Sequence, residues 1–184
     1  MLFDLLYFEL GEPFRVVDRI PAYHGGITFE DLDGDGIPEI RMNDWSFAYE
    51  FASFGDCYAP EVLLRYKNDH YVIAPDLMTK PSLTEEELVA KATEVKKAYR
   101  DIAEDGSVTL SSPATWGAAG GALWNAMLEL VYTGHEDQAL RLFNLAWPEW
   151  AAHGKRHALR NFTKAVRNSA YWQQMAEIES TAGK

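Results

Sequence analysis

The feature that most constrains this chain is a change of hydrophobic period near residue 80. Upstream, the period is two. Leu2, Asp4, Leu6 and Phe8 alternate with Phe3, Leu5, Tyr7 and Glu9, and Phe47, Tyr49 and Phe51 share one face of "SFAYEFAS". The runs "EVLLRYK" and "HYVIA" flank Asn68-Asp69, a turn-forming pair. Such alternation predicts half-buried strands joined by hairpins. From Pro81 the period becomes helical. Thr84 followed by Glu87 forms a capping box, and Leu88, Ala92, Val95, Tyr99 and Ile102 then line one stripe, ended by Asp105-Gly106. Further helices are predicted over Ala118 to Tyr132 before Gly134, over Glu136 to Trp147 before Pro148, and over Arg156 to Asn168. A short last helix holds Tyr171, Trp172 and Met175. The expectation is an α+β protein: a mostly antiparallel sheet over residues 1–80 and four to five helices over 81–184, packed as one unit.

Composition narrows the partners. The formal net charge is −11, and residues 1–80 hold 15 acidic against 6 basic side chains. Residues 81–184 are nearly balanced, with 13 and 11. An acidic surface disfavours nucleic acid and anionic membranes, whose phosphates call for lysine and arginine. It leaves a metal ion or a protein partner. The single cysteine, Cys57, excludes an internal disulfide framework. No apolar run reaches the ~20 residues that span a bilayer, so membrane insertion is not expected. "MLFDLLYFEL" carries Asp4 and Glu9 and lacks a basic start, so it does not read as a signal peptide.

The stretch "ITFEDLDGDGIPEIRM" gathers Asp31, Asp33, Asp35 and Glu39 around Gly36. At ~5 Å and an effective dielectric near 20, each ionised pair of carboxylates costs roughly 3 kcal/mol. A cation among them removes that cost. Counting from Asp31, ligand types fall at positions 1, 3 and 5 with glycine at 6, as in the first half of an EF-hand, whose position 7 supplies a carbonyl. Here that carbonyl belongs to Ile37. Position 12, where an EF-hand has a bidentate glutamate, is Met42, and Pro38 resists a helix directly after the loop. A strand–loop–strand site closed by Glu39 at position 9 fits better. The expected metal ligands are therefore Asp31, Asp33, Asp35, the Ile37 carbonyl and Glu39. Calcium suits a flexible oxygen-rich loop better than magnesium, which demands a rigid octahedron.

"DLDGDGIPEI" resembles the calcium loop of FG-GAP and VCBS-type β-repeats. The longer stretch "DLDGDGIPE", "DWSFAYEF" and "PEVLLRY" is similar to uncharacterised bacterial envelope or secreted proteins that combine such a loop with an aromatic strand and an Arg-Tyr strand. The resemblance implies a calcium-binding module, periplasmic or secreted, and the favoured reading is non-enzymatic with the calcium in a structural role. A short loop without the position-12 glutamate is expected to bind calcium at about 10⁻⁵ to 10⁻³ M, in the range of extracellular modules.

Two rival classes follow from the residues. One is a hydrolase with its site between sheet and helices. The other is an inhibitor or immunity-type protein whose acidic face binds a basic protein. The residues to watch are His153 and His157, at zinc-like spacing but without H-E-x-x-H, and Cys57 with His24 or His70 as base. Each reads more simply as a surface or packing residue. The tryptophans at 116, 124, 147, 150 and 172 read as core at helical spacing rather than as a groove for sugars or peptides.

Overall fold

The computed structural model describes residues 3–9, 12–51, 54–104 and 118–182. The architecture is α+β. Strands β1 (Phe3–Glu9) and β2 (Arg15–Tyr23) form an antiparallel ribbon. Strands β3 (Thr28–Glu30), β4 (Glu39–Asn43), β5 (Glu61–Lys67) and β6 (His70–Ile73) form a second antiparallel sheet in that order. The first half thus carries two sheets where the sequence pointed to one. The sheets separate around Gly25-Gly26, between β2 and β3. The β5–β6 hairpin turns at Asn68 and Asp69, whose φ values of 52° and 66° suit a tight hairpin with both central residues left-handed.

The expected aromatic strand over residues 46–53 does not form. Asp44 instead accepts the Ser46 N–H at 2.9 Å and starts a 3-10 turn over Trp45–Phe47. Tyr49 then takes a left-handed φ of 64° and stands 72% exposed. Phe47 and Phe51 are buried beside it, so the alternation reflects a winding turn rather than a pleat. Residues 52 and 53 lie outside the described residues.

A short helix α1 (Pro75–Met78) precedes five longer ones: α2 (Glu85–Glu104), α3 (Ala118–Tyr132), α4 (Glu136–Ala146), α5 (Lys155–Asn168) and α6 (Ala170–Ala182). The capping box at α2 is reciprocal: the Thr84 N–H donates to Glu87 Oε2 at 2.8 Å, and the Glu87 N–H donates to Thr84 Oγ1 at 3.3 Å. At the end of α3, Gly134 has φ 86°; its N–H bonds the Val131 carbonyl and the His135 N–H bonds that of Leu130. This double closure needs a residue free of Cβ strain at Gly134. Pro148 follows α4, and a 3-10 segment over Glu149–Gly154 leads into α5. The expected stop at Asp105-Gly106 and Trp116 lie outside the described residues.

One hydrophobic core runs through both halves. It joins Ile20, Ile40, Val62 and Ile73 of the strands to Leu88, Leu123, Met127, Phe143 and Phe162 of the helices. Trp124 is at its centre, stacked on Phe162 at 5.1 Å, while Trp147 and Trp172 pack at its margin and Trp150 is exposed. A polar bridge crosses the core. Asp44, at 1% exposure, accepts from Tyr132 Oη and Ser169 Oγ, each at 2.5 Å. Burial and the Asp44 charge raise the Tyr132 phenol well above its ordinary pKa. Among the described residues no helix is long and apolar enough to cross a membrane.

Candidate metal centre

The acidic loop links β3 to β4, and its shape follows from local hydrogen bonding. Gly34 and Gly36 have φ values of 79° and 87°, which side-chain-bearing residues rarely adopt. They let the backbone fold around Asp31, which accepts the Gly34 N–H at 2.7 Å on one oxygen and the Gly36 N–H at 3.1 Å on the other. Asp33 accepts the Asp35 N–H at 3.2 Å, and Asp35 accepts the Ile37 N–H at 2.7 Å. The same aspartates that would hold an ion thus build the turn that presents them.

Asp31, Asp33 and Glu39 each offer a carboxylate oxygen, all within 4.8 Å of one another. Asp31 and Asp33 face solvent, whereas Glu39 is 1% exposed. Burying a carboxylate is costly unless its oxygens are engaged. Glu39 Oε2 accepts the Leu32 N–H at 2.8 Å, which ties the base of β4 to the loop's entry. Asp35, turned towards its own Asx bond with Ile37, does not join the group of three. Ile37 is exposed.

Arg65 was visible in "PEVLLRY" but carried no role in the sequence reading. The β4–β5 ladder pairs Ile40 with Leu64, so Glu39 and Arg65, one step further along, stand opposite each other. The Arg65 guanidinium lies 3.0 Å from Asp33 Oδ2, 3.7 Å from Glu39 Oε1 and 3.0 Å from Asp76 Oδ2. Its hydrogen bonds to Asp76, with the charges of Asp76 and Asp33, raise its pKa above the ordinary guanidinium value. One guanidinium shared among three carboxylates offsets only part of the local charge. The donor set is all oxygen, and two of its three members are open to solvent, which suits a hard cation that keeps some water.

No protein-family model, curated protein or solved structure matches this chain.

The other residues singled out by sequence do not converge. His153 lies in the 3-10 segment and His157 in α5, where its ring is 3.0 Å from Asn161 Nδ2. Neither histidine joins a metal-binding group among the described residues. Cys57 Sγ donates to the Phe54 carbonyl at 3.2 Å. The ring of His70 is engaged with the Asn68 carbonyl, and that of His24 packs against Trp45 and Phe54.

Proposed function

We propose that this chain is a calcium-binding, non-enzymatic module in which the ion is structural. The observation that carries the reading is the convergence of Asp31, Asp33 and Glu39 oxygens within 4.8 Å at the mouth of a β-hairpin. Asp35 and the Ile37 carbonyl are the remaining ligands of the proposal, with water completing the shell. The resemblance of "DLDGDGIPEI" to FG-GAP and VCBS-type loops supports the choice of calcium. Weak affinity would leave such a site filled only where calcium is abundant, so the proposed location is the periplasm or the exterior of a bacterial cell.

The hydrolase reading calls for a histidine or a further carboxylate beside the metal, facing a cleft. Among the described residues, none of the five histidines joins the carboxylate group. The structural role is therefore preferred. Titration calorimetry of the metal-free protein tests it. The expected result is one calcium site with a dissociation constant of about 10⁻⁵ to 10⁻³ M, lost in Asp31→Ala and Asp33→Ala. Absence of heat at millimolar calcium, with or without those substitutions, would end the proposal.

A further inference from the structure

Helix α5, "KRHALRNFTKAVRN", carries five of the chain's 17 lysines and arginines and no acidic residue. In a protein of net charge −11 this is a local reversal. Arg156, Arg160, Lys164 and Arg167 are spaced 4, 4 and 3 residues apart, so at 100° per residue they share an arc of about 80°. All four are exposed. Several cations elsewhere among the described residues are tied to carboxylates: Arg41 to Glu61, Arg65 to Asp76, Lys91 to Glu129, Arg141 to Glu85. Among the described residues these four α5 cations form no ion pair within 4 Å, and Lys155 alone has an aromatic partner, lying 5.6 Å from the Phe143 ring centroid. Lys155, Arg156 and His157 also fill the helix's first turn, where the backbone dipole disfavours positive charge. A sequence that breaks a local rule at an exposed site points to a use for it.

The stripe borders a second feature. A groove of about 300 Å³ lies beside it, lined mainly by apolar residues, among them Val131, Leu140, Leu159, Val166 and Trp172, with Glu136 also in its lining. Leu159, Thr163 and Arg167 line both this groove and the basic one, so the two surfaces are continuous. Leu140 is 45% exposed at the groove's edge.

We propose that this surface docks an acidic amphipathic helix of a partner protein, with its apolar side in the groove and its carboxylates along Arg156, Arg160, Lys164 and Arg167. The four cations span 12 residues, about 16.5 Å of helix axis, which matches three turns of a partner helix. A membrane or a nucleic acid presents an extended array of phosphates to a molecule of net charge −11, whereas a short helix covers only the stripe and its groove, and nucleic acid supplies no aliphatic side chains for that groove.

Fluorescence anisotropy with a synthetic peptide of about 18 residues, leucine on one helical face and glutamate on the other, tests the proposal. The comparators are polyglutamate of equal length, phosphatidylcholine vesicles containing phosphatidylserine, and duplex DNA. The expected result is preference for the Leu/Glu peptide, weakened about tenfold by Arg160→Glu with Lys164→Glu and about as much by Leu140→Ser. Lys96→Glu with Lys97→Glu on α2 makes the same change in net charge and should leave binding intact. Four outcomes overturn the idea: no binding to the wild type, equal loss in the α2 variant, tighter binding to vesicles or DNA, or a dimer abolished by the α5 substitutions. Unchanged circular dichroism and melting confirm that the variants are folded.

Discussion

The loop between β3 and β4 and the outer face of α5 each gather charge of one sign, but they hold it in opposite ways. In the loop, backbone N–H groups and Arg65 are bound to the carboxylates, and Glu39 is buried. On α5 the cations stand in solvent without ion-pair partners among the described residues. The loop is a small, preorganised concavity whose geometry depends on its charges. The helix face is an extended strip whose helix would form equally well without them. Charge that shapes the backbone belongs to the fold as well as to any ligand, whereas charge added to a finished helix is free to serve binding alone.

The largest expected effect tests the first half of that contrast. Glu39→Ala removes the acceptor of the Leu32 N–H and a buried neighbour of Arg65, and should cost about 2–3 kcal/mol in chelator as well as in calcium. Urea unfolding measures it. A loss seen only in calcium would mean that the loop's geometry is supplied by the ion. Next is the ion itself. At free calcium one hundred times its dissociation constant, linkage adds about 2.7 kcal/mol, a rise of roughly 5–10 °C in melting temperature for a chain of this size. The core is shared by strands and helices, so calorimetry should show one transition moving as a whole. Two transitions, with only one moving, would separate the hairpin from the helices.

A third test asks whether either charged surface is needed to hold the sheet to the helices, a task that the buried bridge from Asp44 can perform. Burial raises the folded-state pKa of Tyr132, with smaller contributions from Asp44. The unfolded phenol ionises near 10, so the stabilisation is complete below that pH and is lost above it. The loss is about 1.4 kcal/mol per pH unit for this residue. Tyr58 and Tyr99 are also raised, chiefly by burial, and steepen the decline. Tyr132→Phe should flatten the alkaline limb of a melting-temperature profile by one residue's share. The smallest effect completes the comparison. Arg160→Glu and Lys164→Glu should each change unfolding free energy by no more than about 0.5 kcal/mol. A larger loss would show that α5 depends on its own charges.

Much of this was legible from local chemistry. Thr84 with Glu87, Gly134 and Pro148 each act on the backbone within a few residues, so the start of α2 and the ends of α3 and α4 could be read directly. The loop's shape was readable for the same reason, since Asp31, Asp33 and Asp35 bond amides two to five residues away. Residues 46–51 were misread because aromatic alternation outweighed a quieter sign: Asp44 stands two residues before Ser46, the spacing of an Asx turn. Arg65 was beyond reach, because its place beside Glu39 depends on the register of two strands more than twenty residues apart. The α5 stripe is written in the sequence as an absence of acids. That its cations form no ion pair among the described residues is a property of the folded surface around it.

The Asp44 bridge also bears on how the chain is made. Asp44 and Ser169 are separated by 125 residues. At bacterial and eukaryotic synthesis rates of about 5–20 residues per second, Ser169 follows Asp44 from the ribosome by about 6 to 25 s. Over that interval the nascent hairpins carry a carboxylate destined for the interior whose donors arrive in turn, Tyr132 after 88 residues and Ser169 after a further 37. Closing the sheet over Asp44 before Ser169 is made would bury a carboxylate short of one of its two hydroxyl donors, a costly arrangement in an apolar interior.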